Sequence, residues 1–118
     1  MKITALFLLL ALIAVAFSGK LIQGSYTSNY YSTNPKHPFM TGTGERFITE
    51  HIKFAQAYHE NPTVTASLNF LDSGNDSNVR IQVYTKNVSK TGFDLVIRTW
   101  YTTKVYGVGA SWVANAKC

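Results

Sequence analysis

Arg80, Trp100 and Tyr101 are the residues of this chain best suited to hold a polar, ring-shaped ligand. Arginine presents a rigid planar fork of donors. Trp and Tyr each present a flat apolar body with a polar tip. Sugars, which expose hydroxyls beside patches of C–H, are recognised by that combination. Residue types alone leave a second reading open: an arginine ion-paired on a surface and a tryptophan used for packing. Catalytic chemistry is poorly provided for. His37, His51 and His59 have neither the i,i+4 pairing of a zinc protease helix nor the spacing of a zinc finger. Cys118 is the single cysteine and the last residue, with no structured surroundings to lower its pKa. Among the six carboxylates, Glu45, Glu50, Glu60, Asp72, Asp76 and Asp94, nothing marks a pair for glycosidase work. Thr41-Gly42-Thr43-Gly44 lacks the Gly-Lys-Ser/Thr ending of a phosphate loop and reads as an ordinary turn. The expectation is a binding protein with no catalytic residue, no metal and no cofactor.

The elements that must position these residues are strands. Of 118 residues, 46% are hydrophobic, 14% aromatic and only 14% charged. That is too apolar for disorder and too poor in charge for a coiled coil or a solvated helical bundle. Alternation with period two runs through most of the chain. In 46–54 it puts Ile48, Ile52 and Phe54 on one side, and in 63–71 it puts Val64, Ala66, Leu68 and Phe70 on one face. Val79, Ile81 and Val83 point inward in 79–86, as do Phe93, Leu95 and Ile97 in 93–100. Val108, Ala110, Trp112 and Ala114 share a face in 105–114. A sixth strand is expected at the edge, over 20–26. Between it and Met40 the chain is polar and Tyr-rich, and Pro35 and Pro38 forbid a long helix there. Six strands joined by hairpin-length turns predict an all-β fold, an antiparallel β-sandwich. The alternation also sends Arg80, Tyr84, Val96 and Trp100 outward. An apolar outward patch around Tyr84 and Val96 reads as an interface between chains.

Residues 1–18 are read as a signal peptide. Lys2 precedes an unbroken apolar run from Ile3 to Val15, and Ala16-Phe17-Ser18 offers a cleavage site before Gly19. The run is short of the ~20 residues a spanning helix needs. Cleavage leaves residues 19–118, and loss of Lys2 takes the formal charge from +5 to +4. The remaining lysines are scattered, without the clustered basic face that nucleic acid requires. A secreted protein that neither binds nucleic acid nor inserts into a membrane is expected. In an oxidising compartment, the leftover Cys118 points to a disulfide between chains.

Longer motifs carry a resemblance. Ile52-Lys53-Phe54-Ala55, Tyr58 and Pro62 open it, followed by 64–72 and Asn78-Val79-Arg80. Gly92-Phe93 follows, then Thr99-Trp100 seven residues after that glycine, then Ser111-Trp112-Val113 eleven residues beyond Trp100. Over about residues 48 to 115 the chain resembles the H-type lectin domain, the snail-agglutinin family. The resemblance implies a six-stranded antiparallel β-sandwich that forms a homotrimer. Sugar sites would lie at its seams, with a preference for galactose- or N-acetylgalactosamine-type glycans. It carries the site arginine onto Arg80 and the site tryptophan onto Trp100. Tyr101 stands where the snail agglutinin has a histidine, and Tyr106 falls on a neighbouring aromatic position. The agglutinin's acidic site residue falls on Thr43, with Glu45 two residues away. Its two internally paired cysteines fall on Gln23 and Ile97, and the cysteine that joins its trimers falls on His59.

The expected function is that of a secreted, multivalent lectin acting in agglutination, adhesion or innate defence. The alternative is a structural protein of a mucus or gel that keeps the fold with weak sugar binding. Asn75-Asp76-Ser77 and Asn87-Val88-Ser89 are glycosylation sequons on expected turns, so a glycoprotein is expected; Pro62 disqualifies Asn61.

Overall fold

The computed structural model describes residues 20–26 and 31–116. The expected signal peptide and Cys118 lie outside the described residues. The described chain forms two three-stranded antiparallel sheets packed face to face. Strands β1 (Lys20–Tyr26), β6 (Val105–Ala116) and β3 (Thr63–Ser73) make one sheet in the order β1-β6-β3. Strands β2 (Arg46–Lys53), β5 (Gly92–Thr99) and β4 (Ile81–Lys86) make the other in the order β2-β5-β4. The expected six-stranded sandwich is the observed one.

The two central strands supply most of the core. From β5 come Phe93, Leu95 and Ile97, and from β6 come Val105, Val108, Ala110, Trp112 and Ala114. At one end Phe54, Tyr58, Phe93 and Trp112 cluster, with Trp112 edge-on to Phe93 at 5.1 Å between ring centroids. At the other end Ile97, Val105 and Val108 meet Tyr31 and Phe39. Those two aromatics come from the segment that sequence reading left irregular. It is a plug: a 3-10 turn at Tyr31–Thr33, then the one-turn helix α1 (Pro38–Thr41). His37 caps α1 by accepting the Phe39 N–H on Nδ1 at 3.1 Å. Proline at the first helical position starts the turn without wasting a donor.

Three local expectations shift. In β3 the register slips between Leu68 and Phe70. The bulge reverses the alternation beyond it, so Leu71 packs on the core while Phe70 is 38% exposed; Leu68, still in register with Ala110, is 38% exposed as well. Strand β4 begins at Ile81 rather than Val79, because the Arg80 N–H is donated to Thr103 Oγ1 (3.0 Å) instead of to a ladder. Val79 is left 47% exposed. Val96 faces outward as expected but is only 1% exposed, since Thr49 and Tyr84 flank it in its row. The exposed apolar group on that outer face is Phe47, at 47%. Ile97 faces the core while Gln23 faces solvent, so those two positions do not oppose each other across the sandwich.

Gly92 sits where β5 starts, paired with Lys53 at the end of β2. A β-carbon there would overlap the Ile52 carbonyl oxygen, a backbone atom that cannot step aside. Gly92→Ala is therefore expected to cost about 1–3 kcal/mol by overpacking. A lowered urea midpoint with an unchanged slope checks this.

Candidate functional site

The strand register builds one end of the sandwich into a site. Arg46, Thr99 and Ile81 form the last paired row of β2, β5 and β4. Glu45, Trp100 and Arg80 are each one residue beyond that row. Alternation sends them to the outer face, above Phe47, Arg98 and Gln82 of the preceding row. Arg80 and Trp100 are thus neighbours because two adjacent strands end level with each other.

Around this row the side chains form two stacked pairs. The Arg80 guanidinium carbon lies 5.3 Å from the centre of the Tyr101 ring. That of Arg98 lies 4.2 Å from the Trp100 ring centre. Arg98 is fixed by Glu45, with Nε at 2.8 Å and Nη2 at 2.6 Å from Oε2, and by Gln82 Oε1 at 3.3 Å. One face of the indole is therefore covered by a cation. Arg80 has no such partner: no carboxylate pairs with it among the described residues, and its Nε is buried without a hydrogen-bond acceptor. Burying a guanidinium donor unpaired costs free energy. Its backbone, by contrast, is held at both ends: the carbonyl accepts from Thr99 Oγ1 at 2.6 Å, and the N–H is donated to Thr103 Oγ1.

Tyr101 is 61% exposed and has φ 61°, a left-handed backbone that an aromatic residue rarely adopts. Arg46 holds it there. Buried to 7% exposure, Arg46 donates from Nη2 to the Tyr101 carbonyl (3.2 Å), from Nε to Gly44 (2.8 Å) and from Nη1 to Pro38 (3.2 Å). Burial pulls its pKa below the ordinary arginine value. One guanidinium so ties the Pro38–Gly44 segment to the turn after β5. Thr43 lies in that segment, exposed, its hydroxyl donating to Thr41 Oγ1 at 3.4 Å.

The structure thus brings Arg80 to Tyr101, Trp100 to Glu45 through Arg98, and the Thr43 loop to Tyr101 through Arg46. Tyr106 belongs instead with the loop after β3, its hydroxyl over Gly74. Sequence reading missed Arg46 and Arg98. Arg98 carried a signal, since it shares an outward face two residues before Trp100. Arg46 carried none, because its partners are carbonyl groups. Both sequon asparagines are exposed. Asn87 donates to Asp94 at 2.9 Å, and hydrogen bonds from Asn87 and His51 hold the Asp94 carboxyl below its usual pKa. Among the described residues no group of His, Cys, Asp and Glu could hold a metal, and no helix is long and apolar enough to cross a membrane.

A family model of the H-type lectin domain matches residues 49–115. The chain belongs to the H-type lectin domain family. The match runs from within β2 to the end of β6 and includes Arg80, Trp100 and Tyr101. Discoidin-2 of Dictyostelium discoideum is 32% identical over 75 residues, 63% of this chain and 29% of the discoidin. A protein of Fuscovulum blasticum named ATP synthase subunits region ORF 7 is 31% identical over 74 residues, 63% of this chain and 64% of its own length. The solved structure of recombinant discoidin II of Dictyostelium discoideum superposes with a TM-score of 0.70 at 26% identity. That match covers 85% of this chain and 38% of the discoidin chain, so the chain spans well under half of the discoidins. The H-type lectin domain is a carbohydrate-binding module without catalytic activity, and its fold is the one seen here.

Proposed function

We propose that this protein is a secreted, multivalent lectin for galactose- or N-acetylgalactosamine-type glycans, with its sugar site at Arg80, Trp100 and Tyr101. The observation that carries the reading is the Arg80 guanidinium, stacked on an exposed tyrosine and paired with no carboxylate among the described residues. A hydroxyl-bearing ligand supplies acceptors to its terminal nitrogens, since the Nε is closed to solvent. The sugar's apolar patch packs on the indole face away from Arg98, and the Tyr101 phenol adds a hydrogen bond. Thr43 borders the site, and Tyr106 lies apart from it, beside Gly74. Glu45 contributes by holding Arg98, since its carboxylate is already committed. Three chains assemble through the outer face of β2-β5-β4, where Phe47 is exposed, and Cys118 links chains in an oxidising compartment. Several weak sites on one particle give the avidity that agglutination needs. Glycans on Asn75 and Asn87 complete the secreted form.

Arg80→Ala removes charge-assisted hydrogen bonds worth about 1.5–3 kcal/mol each, so affinity for galactosides should fall tenfold or more. Calorimetric titration with methyl galactosides measures it, and sedimentation confirms that the variant keeps the wild-type trimer mass. Wild-type agglutination by a folded Arg80→Ala protein would falsify the site. A monomer mass for the wild type would remove the multivalency.

A further inference from the structure

Glu50 breaks the pattern of β2. Ile48, Glu50 and Ile52 pair with the core residues Ile97, Leu95 and Phe93, while Phe47, Thr49 and His51 take the outer face. A carboxylate therefore stands in the inward row, between two isoleucines and opposite a leucine that is 1% exposed, while remaining itself exposed to solvent. It is tolerated because β2 is an edge strand and the sandwich is open beside it. There Glu50 borders a cleft of about 270 Å³, shared with Tyr26, Tyr31, Asn34 and His37. Its carboxylate has no hydrogen-bond or ion-pair partner among the described residues.

The chemistry of the lining narrows the occupant. Among the described residues Glu50 is the one charged residue lining it, an acceptor with two oxygens side by side. The phenols of Tyr26 and Tyr31 lie 3.4 Å apart and bring hydroxyls to the wall. Burial, with the Tyr26 contact and the Glu50 charge, pushes the Tyr31 phenol well above its usual pKa, so it stays a neutral donor. His37 spends Nδ1 as acceptor of the Phe39 N–H, so the neutral ring carries its proton on Nε2 as a further donor. Burial lowers the His37 pKa and favours that neutral form. Thr33 and Asn34 add exposed polar groups at the rim, and Ile48 adds an apolar wall. An alkylammonium ion would also suit a carboxylate, but a cation cage needs open aromatic faces. Tyr31 does not offer them: it is 5% exposed, stacked on His37 at 4.1 Å and set edge-on to Phe39 at 5.5 Å.

We propose that this cleft is a second glycan site, distinct from that at Arg80, which takes one neutral sugar residue through two adjacent hydroxyls on the Glu50 carboxylate. The volume suits a single ring, below the roughly 300–1,000 Å³ of sites for larger ligands. The site lies on the plug and the edge strand of one chain, so it needs no neighbouring chain. Loss of the Arg80 site leaves it intact.

The test is amide-shift titration of the isotope-labelled protein with the methyl glycosides of galactose, glucose, mannose and fucose. At least one of these should move the amides of Asn34, His37, Ile48 and Glu50 at millimolar concentration. Glu50→Gln should weaken that response about tenfold while leaving the Arg80 and Tyr101 response unchanged. Arg80→Ala should do the reverse. Asn34→Ala, at an exposed rim position, serves as a second variant should Glu50→Gln fail to fold, and should weaken the same response. The proposal is overturned if no glycoside moves these amides, or if tetramethylammonium moves them instead. It is also overturned if Glu50→Gln alters only self-association, because an inward charge on an edge strand also guards against edge pairing.

Discussion

Trp112→Ala should lose about 3–5 kcal/mol of folding stability, and sugar binding with it. The indole is 7% exposed and fills the space between the sheets at the end away from the site, against Phe93 at 5.1 Å and Phe54 at 6.0 Å. It lies over the α-carbon of Gly24, its partner on β1: a β-carbon there would come within 2.6 Å of the ring. On the Gly24 side there is no side chain to move into the hole that alanine would create, and cavities that collapse poorly are the costly ones. Urea unfolding followed by circular dichroism measures the loss. Phe93, on the facing sheet, provides the cross-check: Trp112→Ala and Phe93→Ala should be strongly non-additive, because they empty one shared space. Simple additivity would show that the indole does not hold the two sheets together.

The sandwich was legible in the sequence because alternation survives wherever one face is buried. Phe93, Leu95 and Ile97 point inward, as do Ala110, Trp112 and Ala114, and all are buried. Legibility failed where alternation is not the governing rule. The bulge between Leu68 and Phe70 reverses the faces without any sequence signal strong enough to announce it. The plug at Tyr31 and Phe39 has no period, because its aromatics enter the core from a turn and a single helical turn. Glu50 went unnoticed for the opposite reason: the apolar residues around it define a core face, and a lone carboxylate in that face reads as noise. At the site, the neighbourhood of Arg80 and Trp100 was legible through outward alternation and the family motif. The pairings were not, since they depend on which cation lies over which ring. Arg98, not Arg80, covers Trp100, and Arg80 lies over Tyr101.

Arg46→Ala should weaken sugar binding tenfold or more although Arg46 is not placed against the ligand. Its three hydrogen bonds reach the carbonyls of Pro38, Gly44 and Tyr101, so it fixes the Thr43 loop and the Tyr101 turn relative to each other. Tyr101 is held at φ 61°, a conformation that costs an aromatic residue of order 1–3 kcal/mol unless its surroundings impose it. Without the guanidinium the turn relaxes, the Tyr101 ring leaves Arg80, and the site is no longer formed before the sugar arrives. Pre-organisation then has to be supplied by the ligand, and affinity falls. The stability loss should be about 2–3 kcal/mol, the net worth of charge-assisted bonds in a half-closed setting. Arg46→Lys should behave nearly the same, because a point-like ammonium cannot span three carbonyls that a planar fork reaches together. Hydrogen exchange separates this positioning role from general unfolding. The Thr103 amide, which closes the turn on the Trp100 carbonyl, should lose protection in Arg46→Ala, while those of Ala110 to Ala114 at the centre of β6 stay protected. A variant that keeps full protection at Thr103 and wild-type affinity for galactosides would remove Arg46 from the design of the site.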